Sequence, residues 1–158
     1  MTERSATHAI FTLERIYKVP PARVFAAFSN KKEKERWFSG SEEWVLLEHE
    51  FDFSAGGRER LRGRWPTGTV TYFDCRYNEI VPGERLIYAY NMYIDDRLIS
   101  VSLATLEFKP AADGGTRLVV TEQGAFLDGF EDGGGREHGT GFLLDKMGAT
   151  LQGQVADD

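Results

Sequence analysis

The feature that most constrains this chain is the order of its predicted elements, a long run of β-strands followed by one amphipathic helix. Strand-like segments succeed one another from Trp44 to Gly124 with only short turns between them. A helix is predicted from Arg136 to Val155, where apolar residues recur at helical spacing. Sequential strands joined by short turns pair in antiparallel fashion, and the apolar face of their sheet must be covered. The sequence therefore predicts an α+β fold in which an antiparallel sheet packs against a C-terminal helix.

Period-two patterning and turn residues place the individual elements. The predicted strands are His8–Lys18, Trp44–Phe53, Arg58–Trp65, Thr69–Ile80, Arg85–Ile94, Leu98–Lys109 and Thr116–Gly124. Two short helices, Ala22–Phe28 and Lys31–Trp37, are predicted after the first strand, where Pro20-Pro21 ends it. We expect residues 1–158 to form one domain, with disorder at 1–7 and 156–158.

Composition narrows the classes of function. The 158 residues carry a formal charge of −6, which disfavours binding to nucleic acid or to an anionic membrane surface. No stretch approaches the roughly 20 apolar residues of a membrane span, and the polar N-terminal segment does not read as a secretory signal. The lone Cys75 rules out an internal disulfide and fits a reducing compartment. We expect a cytoplasmic protein.

The last helix contains an unusual number of glycines for its length. Leu143, Met147, Leu151 and Val155 form an apolar stripe, yet Gly141, Gly148 and Gly153 interrupt the same segment. Each glycine costs about 1 kcal/mol relative to alanine in a helix interior. Three explanations stay open at this point: close approach of the helix to the sheet, space for a ligand, or a weak and frayed helix.

Four arginines share one face of the third predicted strand. Arg58, Arg60, Arg62 and Arg64 have one parity, and Glu59, Leu61, Gly63 and Trp65 have the other. The arginines form either a solvent-facing surface or a cationic row for an acidic partner. Glu59 then points to the apolar side, where an unpaired carboxylate is costly. We expect it to pair with a cation or to occupy a polar pocket with a raised pKa.

An aromatic stripe runs along the fifth predicted strand, where Leu86, Tyr88, Tyr90 and Met92 share a face. Tyrosines on an inward face offer apolar area together with hydroxyls that need partners. Such a wall suits a pocket for a mostly apolar small molecule, although an ordinary core explains it too.

Evidence for catalysis in the sequence is thin. Glu122 or Gln123 points inward at the end of the last strand, and a carboxylate near Glu59 would form an acid–base pair. The three histidines are scattered, without a metal-ligand spacing. We find no phosphate loop, dinucleotide fingerprint or Ser-His-Asp arrangement, and we predict neither a metal nor a cofactor.

The ordered set of segments resembles the SRPBCC superfamily, the START and Bet v allergen group with the helix-grip fold. Within it the chain is similar to the branch named for the activator of the heat-shock-protein (Hsp) ATPase. The stretches that carry the resemblance are Tyr17–Phe28, Trp37-Phe38, Ala55–Arg58, Ile80–Leu86, Ser100–Phe108, Thr116–Asp128 and the terminal helix. The resemblance covers nearly the whole domain in the same order.

The resemblance implies a curved sheet gripping the C-terminal helix, with a cavity between them that binds hydrophobic small molecules or lipids. The cavity residues implied for this chain are Trp37, Phe38, Tyr88, Tyr90, Met92, Phe126, Phe142 and Met147, to which residue parity adds Glu59. Thr140-Gly141-Phe142 stands where relatives often carry a tryptophan, so the mouth of the pocket is expected to differ. The additional N-terminal domain of the eukaryotic co-chaperone has no counterpart in the 158 residues, which disfavours ATPase activation.

Three functional hypotheses follow. The first is non-enzymatic binding of a small, largely apolar or lipid-like ligand, oriented by Glu59, tyrosine hydroxyls or Gln123. The second is a protein-interaction or chaperone-cofactor module that presents the Arg58–Arg64 face to an acidic partner. The third is an enzyme of the cyclase or hydrolase type that uses Glu59 or Glu122. The sequence leaves ligand identity and oligomeric state open.

Overall fold

The computed structural model describes residues 4–40 and 42–156, with side chains described as far as residue 151. Its helices and strands, in chain order, are β1 (Ala6–Tyr17), α1 (Pro21–Ser29), α2 (Lys31–Trp37), β2 (Val45–Phe51), β3 (Arg58–Arg64), β4 (Val70–Val81), β5 (Arg85–Ile94), β6 (Arg97–Pro110), β7 (Thr116–Leu127) and α3 (Gly133–Ala156). A short 3₁₀ turn, Ala112–Gly114, lies between β6 and β7. The predicted elements are all present.

The seven strands form one antiparallel sheet in the order β1-β7-β6-β5-β4-β3-β2. Strands β2 to β7 are consecutive neighbours, whereas β1 pairs with β7 at the far edge. Register shifts interrupt the ladders β2–β3, β4–β5 and β5–β6. Such irregularities bend strands and increase their twist, which helps the sheet to curve. The predicted α+β helix-grip architecture is confirmed.

The core fills the concave side of this sheet beneath the helices. Phe28 of α1 meets the Trp37 ring of α2 edge to face, with ring centroids 5.0 Å apart. Phe38, directly after α2, meets Phe73 of β4 in the same manner at 4.9 Å. Aromatic pairs of this kind contribute about 0.5–1.5 kcal/mol beyond the area they bury. They hold the two short helices against the sheet.

Helix α3 combines close packing with open space, which resolves the question raised by its glycines. A Cβ added at Gly141 would lie 3.0 Å from Arg15 Nη2, and one at Gly148 would lie 3.0 Å from Tyr17 Cε1. Gly139, in contrast, has no such neighbour within 4 Å. The Tyr17 hydroxyl also donates a 2.8 Å hydrogen bond to the Leu144 carbonyl. Helix α3 therefore packs tightly on β1, while the position of Gly139 is open.

The apolar stripe of α3 is only partly as predicted. Met147 and Leu151 are buried together with Leu144, whereas Leu143 is half-buried. Gly153 and Val155 lie beyond residue 151, where the described side chains end. The helix begins after Asp132, whose carboxylate accepts a 2.7 Å hydrogen bond from the Gly135 amide. This side chain satisfies a backbone donor of the first turn that would otherwise have no partner.

The chain ends differ from the predicted disorder. Strand β1 begins at Ala6, which pairs with Leu127, so residues 6 and 7 lie in the sheet. Ala156 is the last residue of α3, and residues 1–3 and 157–158 lie outside the described part of the chain. That the whole chain forms one domain stays a prediction. No helix in the described part is long and apolar enough to cross a membrane.

Candidate ligand-binding cavity

A cavity of about 500 Å³ lies between the concave face of the sheet, the end of α2 and helix α3. This volume falls within the range of about 300–1,000 Å³ typical of small-molecule sites. Most of its wall is aromatic or aliphatic. The apolar side chains of the sheet that line it are Leu61, Phe73, Tyr88, Tyr90, Met92, Leu106 and Val120.

The predicted site residues divide into two groups. Those that line the cavity are Trp37, Phe38, Tyr88, Tyr90, Met92 and Phe142. The remaining three do not line it. Met147 is fully buried in the core, Phe126 lies beneath the Arg136 guanidinium at 5.2 Å, and Glu59 is fully buried in a polar cluster behind the wall. Residue parity predicted Glu59 and the resemblance implied Phe126 and Met147, but neither could separate wall residues from those packed behind them.

The mouth of the cavity contains two tryptophans that the site prediction missed, Trp44 and Trp65. A Cβ at Gly63 would lie 1.9 Å from the Trp44 ring, so only glycine allows this ring to lie against β3. Phe142 of α3, with 60% of its surface exposed, stands at the same opening. Lys146 links α3 to the neighbouring loop, because its ammonium donates to Ser39 Oγ at 2.6 Å. All three tryptophans of the chain therefore line the cavity.

The first of two buried polar groups is the Glu59 cluster, formed by Lys34, Glu35, His49, Glu59 and Tyr77. Glu59 Oε1 accepts from Lys34 Nζ and from the Tyr77 hydroxyl, both at 2.5 Å, and its Oε2 lies 2.8 Å from His49 Nε2. His49 Nδ1 lies 2.5 Å from Glu35 Oε2. Both oxygens of Glu59 are thus occupied, and the cluster ties α2 to strands β2, β3 and β4.

Titration in the Glu59 cluster is governed by competition between burial and neighbouring charge. Burial alone would raise the pKa of Glu59, but the Lys34 ammonium and the hydrogen bonds from His49, Lys34 and Tyr77 outweigh it and lower the pKa. Burial would lower the pKa of His49, whereas the Glu59 and Glu35 carboxylates raise it to a greater extent. Of the two alternatives predicted for Glu59, pairing with a cation is therefore correct.

The second polar group is the Glu122 cluster, formed by Tyr90, Ser100, Ser102, Glu122, Glu131 and Arg136. The Arg136 guanidinium donates to the Tyr90 hydroxyl at 2.8 Å and to Ser100 Oγ at 2.7 Å. Glu131 accepts from it with both oxygens, at 3.0 and 2.5 Å. The Tyr90 hydroxyl donates to Glu122 Oε2 at 2.8 Å, and Arg136 Nη1 lies 3.7 Å from that oxygen.

Glu122 differs from Glu59 in both its bonding and its titration. Among the described residues, no donor forms a hydrogen bond with Glu122 Oε1, although Glu122 is only 3% exposed. Burial raises its pKa, and the Tyr90 hydrogen bond and the Arg136 charge offset this only in part. Glu122, Glu131, Tyr90 and Arg136 all line the cavity. Of the two residues that could point inward, Glu122 does so and Gln123 is exposed.

The arginine row lies on the outer face of the sheet, beside carboxylates of neighbouring strands. Arg58 donates to both oxygens of Asp74 at 3.0 Å. Arg60 Nη1 lies 3.8 Å from Glu50 Oε2, and Arg62 Nε lies 3.7 Å from Glu48 Oε2. Since these carboxylates offset the positive charge, the surface is of mixed sign rather than purely cationic.

Comparison with protein families matches residues 18–152 to the family described as Activator of Hsp90 ATPase homolog 1-like protein. Comparison with curated proteins finds no match.

Comparison with solved structures finds similar folds over nearly the whole chain. An uncharacterised protein from Rhizobium leguminosarum is 44% identical, with a TM-score of 0.89 over 96% of this chain and 99% of that one. A protein from Rhizobium loti is 41% identical, with a TM-score of 0.84 over 92% of this chain and 98% of that one. A protein named AHSA1 from Silicibacter pomeroyi is 20% identical, with a TM-score of 0.72 over 92% of this chain and 99% of that one, and shares the fold.

Proposed function

The chain belongs to the family of Activator of Hsp90 ATPase homolog 1-like proteins, and on that premise we propose that it binds a small, largely apolar molecule in the cavity beneath α3. The observation that carries this proposal is the cavity itself, about 500 Å³ in volume and walled mainly by aromatic and aliphatic side chains. Transfer of apolar surface from water into such a space is favourable by about 25 cal/mol per Å². The apolar lining therefore favours a largely apolar ligand.

The three tryptophans provide a direct measurement of ligand entry. Trp37, Trp44 and Trp65 all line the cavity, so an occupying molecule changes the surroundings of every tryptophan in the chain. We expect naphthalene or phenanthrene to shift the tryptophan emission in a saturable manner, with the affinity then measured by calorimetry. Native mass spectrometry of the purified protein tests whether a cellular molecule already occupies the site.

A matched pair of substitutions locates the binding site. Val120 is buried and lines the cavity, whereas Val101 is 43% exposed and does not line it. Val120→Phe should weaken hydrocarbon binding by at least about tenfold because the added ring occupies ligand space, at a stability cost of about 1–3 kcal/mol. Val101→Phe should leave affinity unchanged. Circular dichroism confirms that both variants fold. Absence of hydrocarbon binding, or equal affinity in both variants, would contradict the proposal.

The family description favours a second candidate, a protein-interaction module of the chaperone-cofactor type. Its predicted surface is the Arg58–Arg64 face, where the carboxylates of Asp74, Glu50 and Glu48 already lie beside the arginines. Charge reversal by Arg60→Glu and Arg62→Glu should then abolish stimulation of a purified Hsp90 ATPase. If the wild-type protein leaves that ATPase rate unchanged, this candidate is excluded.

The cyclase or hydrolase alternative requires a buried carboxylate beside a ligand-sized space with a raised pKa. Glu122 meets these requirements, whereas Glu59 has a lowered pKa and lies behind the wall. Within the described residues the two carboxylates share no hydrogen-bonding partner. The contacts therefore do not support an acid–base pair of Glu59 with Glu122. An enzyme of this type would have to use Glu122 as its proton-transferring group.

A further inference from the structure

The cavity contains polar groups that its apolar character does not explain. Glu122 is 97% buried, since only 3% of its surface is exposed, and it lines the cavity. Its Oε2 accepts from Tyr90, but its Oε1 has no donor among the described residues. Oε1 is not fully enclosed by protein atoms, because it retains accessible surface. The free acceptor therefore belongs to a residue of the cavity wall.

A second unpartnered group lies on the same wall. Tyr88 lines the cavity from β5, and its hydroxyl forms no side-chain hydrogen bond within the described part of the chain. Its ring lies 6.0 Å from that of Tyr90, which itself bonds Glu122. Other polar groups nearby are occupied, because Arg136 donates to Tyr90, Ser100 and Glu131. Beside Tyr90, the polar positions left open among the described residues are the Glu122 Oε1 oxygen and the Tyr88 hydroxyl.

The charges that line the cavity indicate whether its ligand is charged or neutral. The charged side chains at its wall are Lys34, Glu122, Glu131 and Arg136, two cations and two anions. A charged ligand would lose its hydration on entering this largely apolar space. An anionic ligand finds Arg136 already bonded to Glu131. A neutral hydroxyl, in contrast, loses less hydration free energy than a charged group, and it can both donate and accept a hydrogen bond.

We propose that the cavity selects a neutral ligand bearing a hydroxyl group, an alcohol or a phenol, which donates its proton in a hydrogen bond to Glu122 Oε1. The apolar body of the ligand lies against the aromatic wall, and the Tyr88 hydroxyl offers a second polar contact. This inference rests on the proposed binding function and specifies its ligand class. Glu122 acts here as a specificity-determining residue.

The test compares four probes with one shared ring system: naphthalene, naphthalenemethanol, naphthylmethylamine and naphthoic acid, titrated by calorimetry at neutral pH. A hydrogen bond to a buried acceptor strengthens binding by about 1 kcal/mol, so the alcohol should bind roughly five- to tenfold more tightly than the hydrocarbon. The amine and the acid should bind more weakly than the alcohol. If none of the four binds, the proposed function fails; if naphthalene and the alcohol bind equally, only the present inference fails.

Two variants assign the preference to Glu122. Glu122→Met removes the acceptor and should erase the advantage of the alcohol while naphthalene still binds. Gln123→Met is the matched control, because Gln123 is the exposed neighbour of Glu122 in β7 and does not line the cavity. It should retain the preference. If Glu122→Met does not fold, the four-probe titration is repeated on Glu122→Gln and compared with the wild-type protein. Glutamine keeps one acceptor, so this variant should still prefer the alcohol to naphthalene. Tighter binding of the amine than of the alcohol would overturn the neutral-ligand assignment.

Discussion

The two buried polar clusters beside the cavity are built from similar groups, yet they differ in how completely those groups are bonded. In the Glu59 cluster both carboxylate oxygens accept hydrogen bonds, from Lys34, Tyr77 and His49. In the Glu122 cluster one oxygen accepts from Tyr90 and the other has no donor among the described residues. The pKa of Glu59 is lowered by its cationic partners, and burial raises that of Glu122. The comparison indicates that the first cluster stabilises the fold and that the second presents polar groups to the cavity.

The largest expected effect is loss of the Glu59 carboxylate. Glu59→Ala leaves the Lys34 ammonium buried without its counter-ion, which should lower the free energy of unfolding by about 3–5 kcal/mol. Urea denaturation measures this difference. Glu50→Ala is the control, since Glu50 lies 3.8 Å from Arg60 with a side chain 65% exposed, and it should change stability by at most about 0.5 kcal/mol.

A double variant separates charge burial from packing. Lys34→Met combined with Glu59→Leu removes both charges of the pair and should recover much of the stability that Glu59→Ala loses. Equal stabilities of Glu59→Ala and the wild-type protein would remove the structural role assigned to this cluster.

The next effect is a pH dependence of stability that arises from His49. Burial lowers the pKa of His49, but hydrogen bonds and charge from Glu59 and Glu35 raise it above the ordinary value of 6.5. Protonated His49 therefore contributes stability fully below pH 6.5, and this contribution is lost as the pH rises through the higher pKa of the folded state. The melting temperature should therefore decrease as the pH rises through this range.

Substitution of histidine by glutamine tests the assignment to His49. His49→Gln should flatten this part of the pH profile, whereas His8→Gln, at an exposed position on β1, should leave it unchanged. An identical profile in the wild-type protein and His49→Gln would show that another group titrates.

The smallest expected effect belongs to Glu122, and its pH dependence has the same direction as that of His49. Because burial raises its pKa, the protonated form contributes stability below the ordinary value of 4.5, and this is lost as the pH rises through the higher folded-state pKa. Glu122→Gln keeps a neutral side chain at every pH. It should match the wild-type protein in acid and exceed its unfolding free energy at neutral pH, as measured by urea denaturation.

Glu59 and Glu122 can thus be distinguished by the sign of their pH dependence. For Glu59, whose pKa is lowered, stability is present above the ordinary glutamate pKa and lost as the pH falls through the lowered value. A Glu122→Gln variant less stable than the wild-type protein at neutral pH would mean that ionised Glu122 is structural, as Glu59 is.

Much of the fold could be predicted from short-range patterns. Alternation over Arg58–Trp65 placed Glu59 and Leu61 inward and the arginines outward, and the structure agrees. Turn residues marked the hairpins, including Asp95-Asp96, both of which adopt positive φ. These features depend on residues close together in the chain, so a single sequence contains the information.

Contacts between distant segments could not be predicted in the same way. Lys34 meets Glu59 across 25 residues, and Arg136 meets the Tyr90 hydroxyl across 46. No local pattern marks Lys34 as buried within a helix that reads as charged, or Arg136 as the centre of a cluster. Both depend on how α2 and α3 sit on the sheet.

The sequence by itself determined the order of elements, the inward face of each strand and the apolar character of the wall, because side-chain alternation and turn chemistry act locally. Only the tertiary structure decided which inward carboxylate is enclosed by partners and which faces open space. It also showed that α3 packs closely at Gly141 and Gly148 and leaves room at Gly139. The reason is physical: hydrogen-bond saturation and empty volume depend on strand register and helix placement, which couple residues far apart in the chain.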